Sequence, residues 1–229
     1  MFLDIVFPNI CMSCGNKMDK DDRYICKNCK SHLIFLDTNI CPVCGSKLLS
    51  DKCDVCAKSS FLFDKARSVY PMSDEIRNMI HNFKYKDLPK VGLFFVEMAG
   101  VYLKKNQEFM DTDFVVPVPL HKVKNRIRGF NQAEIIAKGI AKLMNVTFSK
   151  NIVLRKKFTE TQTKLSRKER AKNVSNAFNI KNKEKLQNKN FIIIDDVFTT
   201  GSTVNAITQS LKDNGASKVY ILTAARAQK

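Results

Sequence analysis

Apolar residues come in short blocks along this chain, and the spacing inside each block predicts an element. FLFDKARSVY, Phe61 to Tyr70, reads as a strand. Ser73 then caps a helix that runs to about Phe83. Leu88 to Lys104 predicts a second helix, with Pro89 in its first turn. DFVVPVP, Asp113 to Pro119, is a buried strand ended by prolines. Asn131 to Met144 is an amphipathic helix, with Ile135, Ile136, Ile140 and Leu143 on its apolar stripe. Residues 150–180 are basic and less regular, with a short helix from Ser166. FIIID, Phe191 to Asp195, is a buried strand. Thr203 to Asn214 is a helix stopped by Gly215, and VYILTAA, Val219 to Ala225, is a last strand. Strands alternating with helices predict an α/β domain over 61–229 with a mostly parallel central sheet. Such sheets take ligands at the carboxyl ends of their strands.

Residues 1–60 follow a different pattern. All eight cysteines lie there, as four CxxC pairs: Cys11 and Cys14, Cys26 and Cys29, Cys41 and Cys44, Cys53 and Cys56. The pairs are separated by 11, 11 and 8 residues. A CxxC turn aims two sulfurs at one point, and two such turns complete a tetrahedron, so four pairs predict two structural Zn²⁺ sites. Local pairing joins the first two pairs and the last two, because short loops cost less closure entropy than an interleaved cross-brace. Gly15 and Gly45 follow two of the pairs, where a knuckle needs positive φ. About 60 residues with few large apolar side chains need such metal staples to fold. Four protein ligands leave no open position for zinc catalysis. Residues 1–60 therefore read as a double zinc ribbon, with a spacer or protein-docking role.

Composition narrows the class. The chain has 229 residues, 44% of them hydrophobic and 27% charged, which suits a folded globular protein. The longest nearly apolar run, Val91 to Val101, is 11 residues long and holds Glu97, too short to span a bilayer. The opening MFLDIVFPNIC has no basic region and carries Asp4, so no cleaved signal is expected. A cytoplasmic location is expected, with peripheral contact to the inner membrane face as its variant. Charge is concentrated: the net is +17, and residues 121–190 hold 19 basic and 4 acidic residues. Residues 1–60 hold 8 basic and 7 acidic residues, and two zinc tetrathiolates would turn that module negative. A polyanion is thus expected on the C-terminal part.

One segment joins these threads. Asp195-Asp196-Val197-Phe198-Thr199-Thr200-Gly201-Ser202-Thr203 ends an aliphatic strand and leads into a helix. Backbone N–H groups at a helix N-terminus attract an anion. Thr199, Thr200, Ser202 and Thr203 add hydroxyls, and Gly201 lets the backbone approach. Two carboxylates beside a phosphate cradle make sense as acceptors for sugar hydroxyls, so a phosphorylated ribose fits both halves. The chain has neither GxxxxGK[ST] nor GxGxxG, which argues against a P-loop NTPase or a dinucleotide-binding domain.

FIIIDDVFTTGST, Phe191 to Thr203, resembles the phosphoribosyl pyrophosphate (PRPP) motif of type I phosphoribosyltransferases. With PVPLHKVKNRIRGFNQAEIIA (117–137), TQTKLSRKERAKNVSNAF (161–178) and the CxxC knuckles, the chain resembles the ComF family of bacterial competence proteins. The resemblance implies that Asp195 and Asp196 hold the ribose hydroxyls and that Thr199 to Thr203 bind the 5′-phosphate. It places Pro117, Val118, Pro119 and Leu120 in the pyrophosphate loop, and Thr161 to Asn173 in a basic hood loop. Mg²⁺ would accompany PRPP. It also implies a role in DNA uptake, with single-stranded DNA, a helicase-like ATPase and a DNA-processing protein as partners. Arg126, Arg128, Lys164, Arg167 and Arg170 are the candidate anion and nucleic-acid contacts. His121 sits at the mouth of the pyrophosphate loop, and His81 and Lys84 lie on a predicted helix. Arg155 to Lys157 read as a solvated charge run, and Phe130, Phe158 and Phe198 as core residues. The alternative function is a working phosphoribosyltransferase acting on a nucleobase or an amine.

Overall fold

The structure, a computed structural model, describes residues 9–86, 88–155 and 177–227. Five parallel strands form its sheet, in the order β1-β7-β6-β2-β3. They are β1 (Lys65–Pro71), β2 (Phe114–Pro117), β3 (Thr147–Phe148), β6 (Phe191–Phe198) and β7 (Val219–Arg226). The short strands β4 (Val153–Arg155) and β5 (Phe178–Ile180) pair antiparallel outside that sheet. The helices are α1 (Lys27–Ser31) and α2 (Asp54–Ala57) in the cysteine-rich part, then α3 (Asp74–Tyr85), α4 (Lys90–Lys105), α5 (Lys122–Arg128), α6 (Gln132–Met144) and α7 (Ser202–Lys212).

Both faces of the sheet are covered, as an all-parallel sheet requires. The strands alternate accordingly. Val115, Ile192 and Ile194 join a core with Met79 and Phe83 of α3, Phe95 of α4 and Ile140 of α6. Val116, Phe191 and Ile193 join a second core with Ile207 and Leu211 of α7. The cysteine-rich part divides the same way: Cys11, Met18 and Tyr24 pack into the first core, Cys41, Cys44 and Phe63 into the second. Its second half also meets β1 through its backbone, where Ala66 donates to the Val43 carbonyl at 2.7 Å.

Local chemistry sets most boundaries. Ser73 accepts from the Ile76 N–H at 3.3 Å and starts α3, which buries Ile76, Met79, Ile80 and Phe83 at helical spacing. Asn131 starts α6 by accepting from Ala133 N–H, and Asn145 in the left-handed region ends it. Two expectations change, and one helix lies where no element was expected. The strand expected from Phe61 starts at Lys65, because the Leu62 N–H goes to Asn205 Oδ1 of α7 at 2.7 Å rather than to a neighbouring strand. Leu143 stands 56% exposed; the apolar stripe of α6 is carried by Ile136, Ala137 and Ile140. Residues 122–128 form α5, whose two apolar residues, Val123 and Ile127, are both exposed, so it presents no core-facing stripe. The short helix expected from Ser166 and the hood loop 161–173 lie outside the described residues.

Candidate functional site

The two cysteine sets close locally. Cys11, Cys14, Cys26 and Cys29 converge in one cluster and Cys41, Cys44, Cys53 and Cys56 in another, with all four sulfurs of each within 4.8 Å of one another. Sulfur separations of 3.9 Å for Cys14 and Cys26, 3.7 Å for Cys41 and Cys56, and 3.6 Å for Cys44 and Cys53 match the edge of about 3.8 Å that zinc–sulfur bonds of about 2.3 Å impose on a tetrahedron. Gly15 and Gly45 take the positive φ that the knuckles need, +77° and +71°. The donor sets therefore fit Zn²⁺, which would staple each half-ribbon.

Buried cations anchor the second cluster to the sheet. Arg67 of β1 donates to the carbonyls of Pro42 (3.1 Å) and Cys41 (3.4 Å), and its charge is met by Glu108 at 2.8 Å. Arg226 of β7 donates to the Cys44 carbonyl at 2.6 Å and reaches Cys44 Sγ at 3.6 Å.

The Asp195–Thr203 segment, the candidate phosphate site, lies at the carboxyl end of β6, a central strand. β6 ends at Phe198; residues 199–201 turn; α7 starts at Ser202. Gly201 is left-handed (φ +76°), and a Cβ there would come within 2.7 Å of Phe198 and 2.8 Å of Phe61, so both backbone and packing demand glycine. Thr199, Thr200 and Ser202 are exposed and Thr203 is half-buried. Thr200 Oγ1 accepts from the Ser202 N–H at 3.3 Å and lies 2.9 Å from Ser202 Oγ. Hydroxyls and the N–H groups of the first α7 turn thus lie close together at the end of β6.

Asp195 and Asp196 are half-buried immediately before this loop. Asp195 Oδ1 accepts from the Asp196 N–H at 2.9 Å. Although its side chain keeps some exposure, loss of hydration among densely packed protein pushes the Asp195 pKa up to about 7, helped by the charge of Asp196 and opposed by Lys84 and Arg155. Lys84 of α3 pairs with Asp196 Oδ2 at 2.6 Å. The Pro117–Leu120 segment lies beside the carboxylates because β2 runs parallel to β6, with Pro117 opposite Ile194 and Val118 donating to the Ile194 carbonyl at 2.8 Å. Pro117, Pro119 and Leu120 line a cleft of about 150 Å³ with Asn125, Asn131, Glu134, Lys150 and Asn151.

The remaining candidates fall in several places. Arg126 is exposed on α5, and Arg128 lies over the Tyr85 ring at 5.4 Å. His121 caps α5 by accepting from the Val123 N–H at 3.2 Å. His81 packs its ring 5.0 Å from Tyr85. Phe130 is half-buried, 5.7 Å from Phe83, and Phe198 is core. Lys164, Arg167, Arg170 and Phe158 lie outside the described residues. Arg155 is not a solvated charge: it is half-buried over the Phe178 ring at 5.7 Å, and its field reaches Asp195. The pairing of Lys84 with Asp196 and the reach of Arg226 to the zinc cluster have no local signal, since 112 and 182 positions separate the partners.

The Double zinc ribbon domain family matches residues 2–65, and the Phosphoribosyl transferase domain family matches residues 129–229. Competence protein F of Haemophilus influenzae is 27% identical over 221 residues, covering 95% of this chain and 96% of that protein. Competence protein ComFC of Bacillus subtilis is 28% identical, covering 95% of this chain and 84% of that protein. DNA utilization protein YhgH of Escherichia coli is 28% identical over 174 residues, 74% of this chain and 75% of that protein. Four CxxC pairs closing into two tetrathiolate sites, followed by a parallel sheet that ends in the Asp195–Thr203 loop, make this chain a homologue of Competence protein F, ComFC and YhgH, with a double zinc ribbon ahead of a phosphoribosyl transferase domain.

Proposed function

We propose that this protein binds a phosphoribosyl group, as PRPP with Mg²⁺ or as a nucleotide phosphate, and handles single-stranded DNA during uptake. In this reading residues 1–60 are the zinc module and 61–229 the binding body. The carrying observation is the half-buried carboxylate pair of Asp195 and Asp196 at the carboxyl end of β6, the strand that leads through residues 199–201 into the hydroxyl-rich N-terminus of α7. The carboxylates accept hydrogen bonds from the ribose hydroxyls. The N–H groups and hydroxyls of Thr199 to Thr203 hold the 5′-phosphate. Pro117 to Leu120 face the pyrophosphate. Arg126 and Arg128, with Lys164, Arg167 and Arg170, supply phosphate contacts to DNA. The competence relatives support the uptake setting, in which a helicase-like ATPase and a DNA-processing protein are the expected partners.

Calorimetric titration of PRPP with Mg²⁺ into the zinc-loaded protein tests the pocket. Micromolar binding that is lost in the Asp195→Asn/Asp196→Asn double variant is the expected result; no heat with the parent protein overturns it. Anisotropy with labelled single-stranded DNA tests the second part: affinity should fall steeply with added salt, and Arg126→Ala/Arg128→Ala should flatten that slope. Affinity no better than millimolar would sink it.

The enzymatic reading draws on the placement of Asp195 at the end of β6, where burial and the charge of Asp196 raise its carboxyl toward neutrality and suit it to carry a proton. Its test is pyrophosphate release from PRPP with purines, pyrimidines and ammonia as acceptors.

A further inference from the structure

Arg226 touches both the second zinc knuckle and the floor of the phosphate loop. It is 5% exposed at the end of β7. On one side it donates to the Cys44 carbonyl at 2.6 Å and reaches Cys44 Sγ at 3.6 Å. On the other its guanidinium lies 4.3 Å from the centre of the Phe198 ring. Phe198 is the last residue of β6, 2% exposed, and it is the atom wall beneath Gly201. The two strand ends are tied as well, because Ala227 donates to the Phe198 carbonyl at 2.9 Å.

A buried guanidinium needs an opposing charge. Among the described residues Arg226 forms no ion pair with a carboxylate, whereas Arg67 has Glu108. The opposing charge available to Arg226 is the thiolate set of Cys41, Cys44, Cys53 and Cys56, which keeps a net −2 once it holds Zn²⁺. Among the described residues no buried arginine bonds the first cysteine cluster, which packs into the core on the other face of the sheet.

We propose that Arg226 is a positioning residue that couples occupancy of the second zinc site to phosphate binding at residues 199–203. The zinc thiolates hold the guanidinium against the Phe198 ring, and Phe198 packs beneath Gly201, where the turn presents the α7 N-terminus. For its ligand this inference rests on the phosphate reading of the loop; for its contacts it does not. Coupling is reciprocal, so bound anion should slow zinc loss from the second site.

The test uses the full-length zinc-loaded protein with Arg226→Gln, Phe198→Leu and, as control, Cys26→Ser in the first cluster. Three quantities are read: amide hydrogen exchange over residues 199–203 without ligand, the rate of zinc release to a chelating dye, and the affinity for PRPP with Mg²⁺. Arg226→Gln should speed exchange in the loop about tenfold, release one of two zincs faster, and weaken PRPP binding about tenfold. Arg226→Lys should recover part of each. Phe198→Leu, which removes the ring that the Arg226 guanidinium rests on, should also speed release of one zinc; this variant decides the matter if Arg226→Gln does not fold. Cys26→Ser should change loop exchange less than twofold. Wild-type exchange and zinc release in Arg226→Gln, a wild-type zinc release rate in Phe198→Leu, or equal loop exchange in Cys26→Ser and Arg226→Gln would each overturn the coupling. If the parent protein binds no PRPP while loop exchange still responds to Arg226→Gln, the ligand reading fails and the coupling stands.

Discussion

Lys84 Nζ of α3 lies 2.6 Å from Asp196 Oδ2 at the end of β6, and this ion pair is what permits two adjacent carboxylates at a half-buried strand end. Both side chains are largely covered, at 22% and 14% exposure, so the pair is worth more than a surface bridge. Lys84→Met should lower the melting temperature by several degrees, as about 1–3 kcal/mol is lost. It should also push the Asp195 pKa above about 7, because Lys84 holds it down. Carboxyl-carbon NMR of labelled aspartate checks this; an unchanged Asp195 titration would remove Lys84 from the site.

Asp195 makes stability depend on pH near neutrality. Its pKa rises from 3.8 to about 7 in the fold, chiefly through burial. The folded state therefore holds a proton that the unfolded chain has shed. That contribution is fully present below about pH 4 and is lost as pH rises through about 7. Asp195→Asn should melt higher than the parent at pH 8, by a few degrees, and the gap should shrink toward pH 5 and close near pH 4. A gap that widens toward pH 5 would contradict the assignment.

Gly201→Ala should damage both fold and site. The residue is left-handed, and the new methyl would press on Phe198 and Phe61. About 1–3 kcal/mol of stability should be lost. PRPP affinity should fall at least tenfold, because the turn that aims the α7 N-terminus is displaced. Calorimetry combined with thermal melting reads both effects; wild-type affinity would show that the loop tolerates another path.

Two zinc ions per chain are expected by elemental analysis. Cys29→Ser and Cys56→Ser should each reduce the count to one, from different clusters. A stoichiometry of one in the parent protein would mean that one cluster does not hold metal. Stripping both metals should expose the ribbon to proteolysis, since its halves rely on the thiolate staples.

Some parts of the molecule could be read directly from the chain because their causes are local. The CxxC spacing closes each cluster within 19 residues, and Ser73 and Asn131 cap their own helices. The apolar run Phe191–Ile194 reads as a strand buried on both faces, and the turn at Gly201 into the helix from Ser202 follows within nine residues of Asp195. Other parts have non-local causes. The exposed α5 has only the Val123 and Ile127 pair, too short a pattern to mark a helix, and Leu143 sits on the predicted stripe but is more than half exposed.

Residue types and spacing alone determined the two cysteine sets, the α/β alternation and the acidic–hydroxyl loop, because a turn, a cap or a period of two acts between near neighbours. Tertiary structure decided which charges meet. Parallel pairing of β2 with β6 sets Pro117 beside the carboxylates, helix packing carries Lys84 to Asp196, and the register of Phe198 opposite Arg226 brings a cation from the end of the chain to a sulfur of Cys44. A lysine or arginine looks the same in the sequence whether it is solvated or buried. Only the long-range register of the sheet selects the carboxylate or thiolate that it must neutralise.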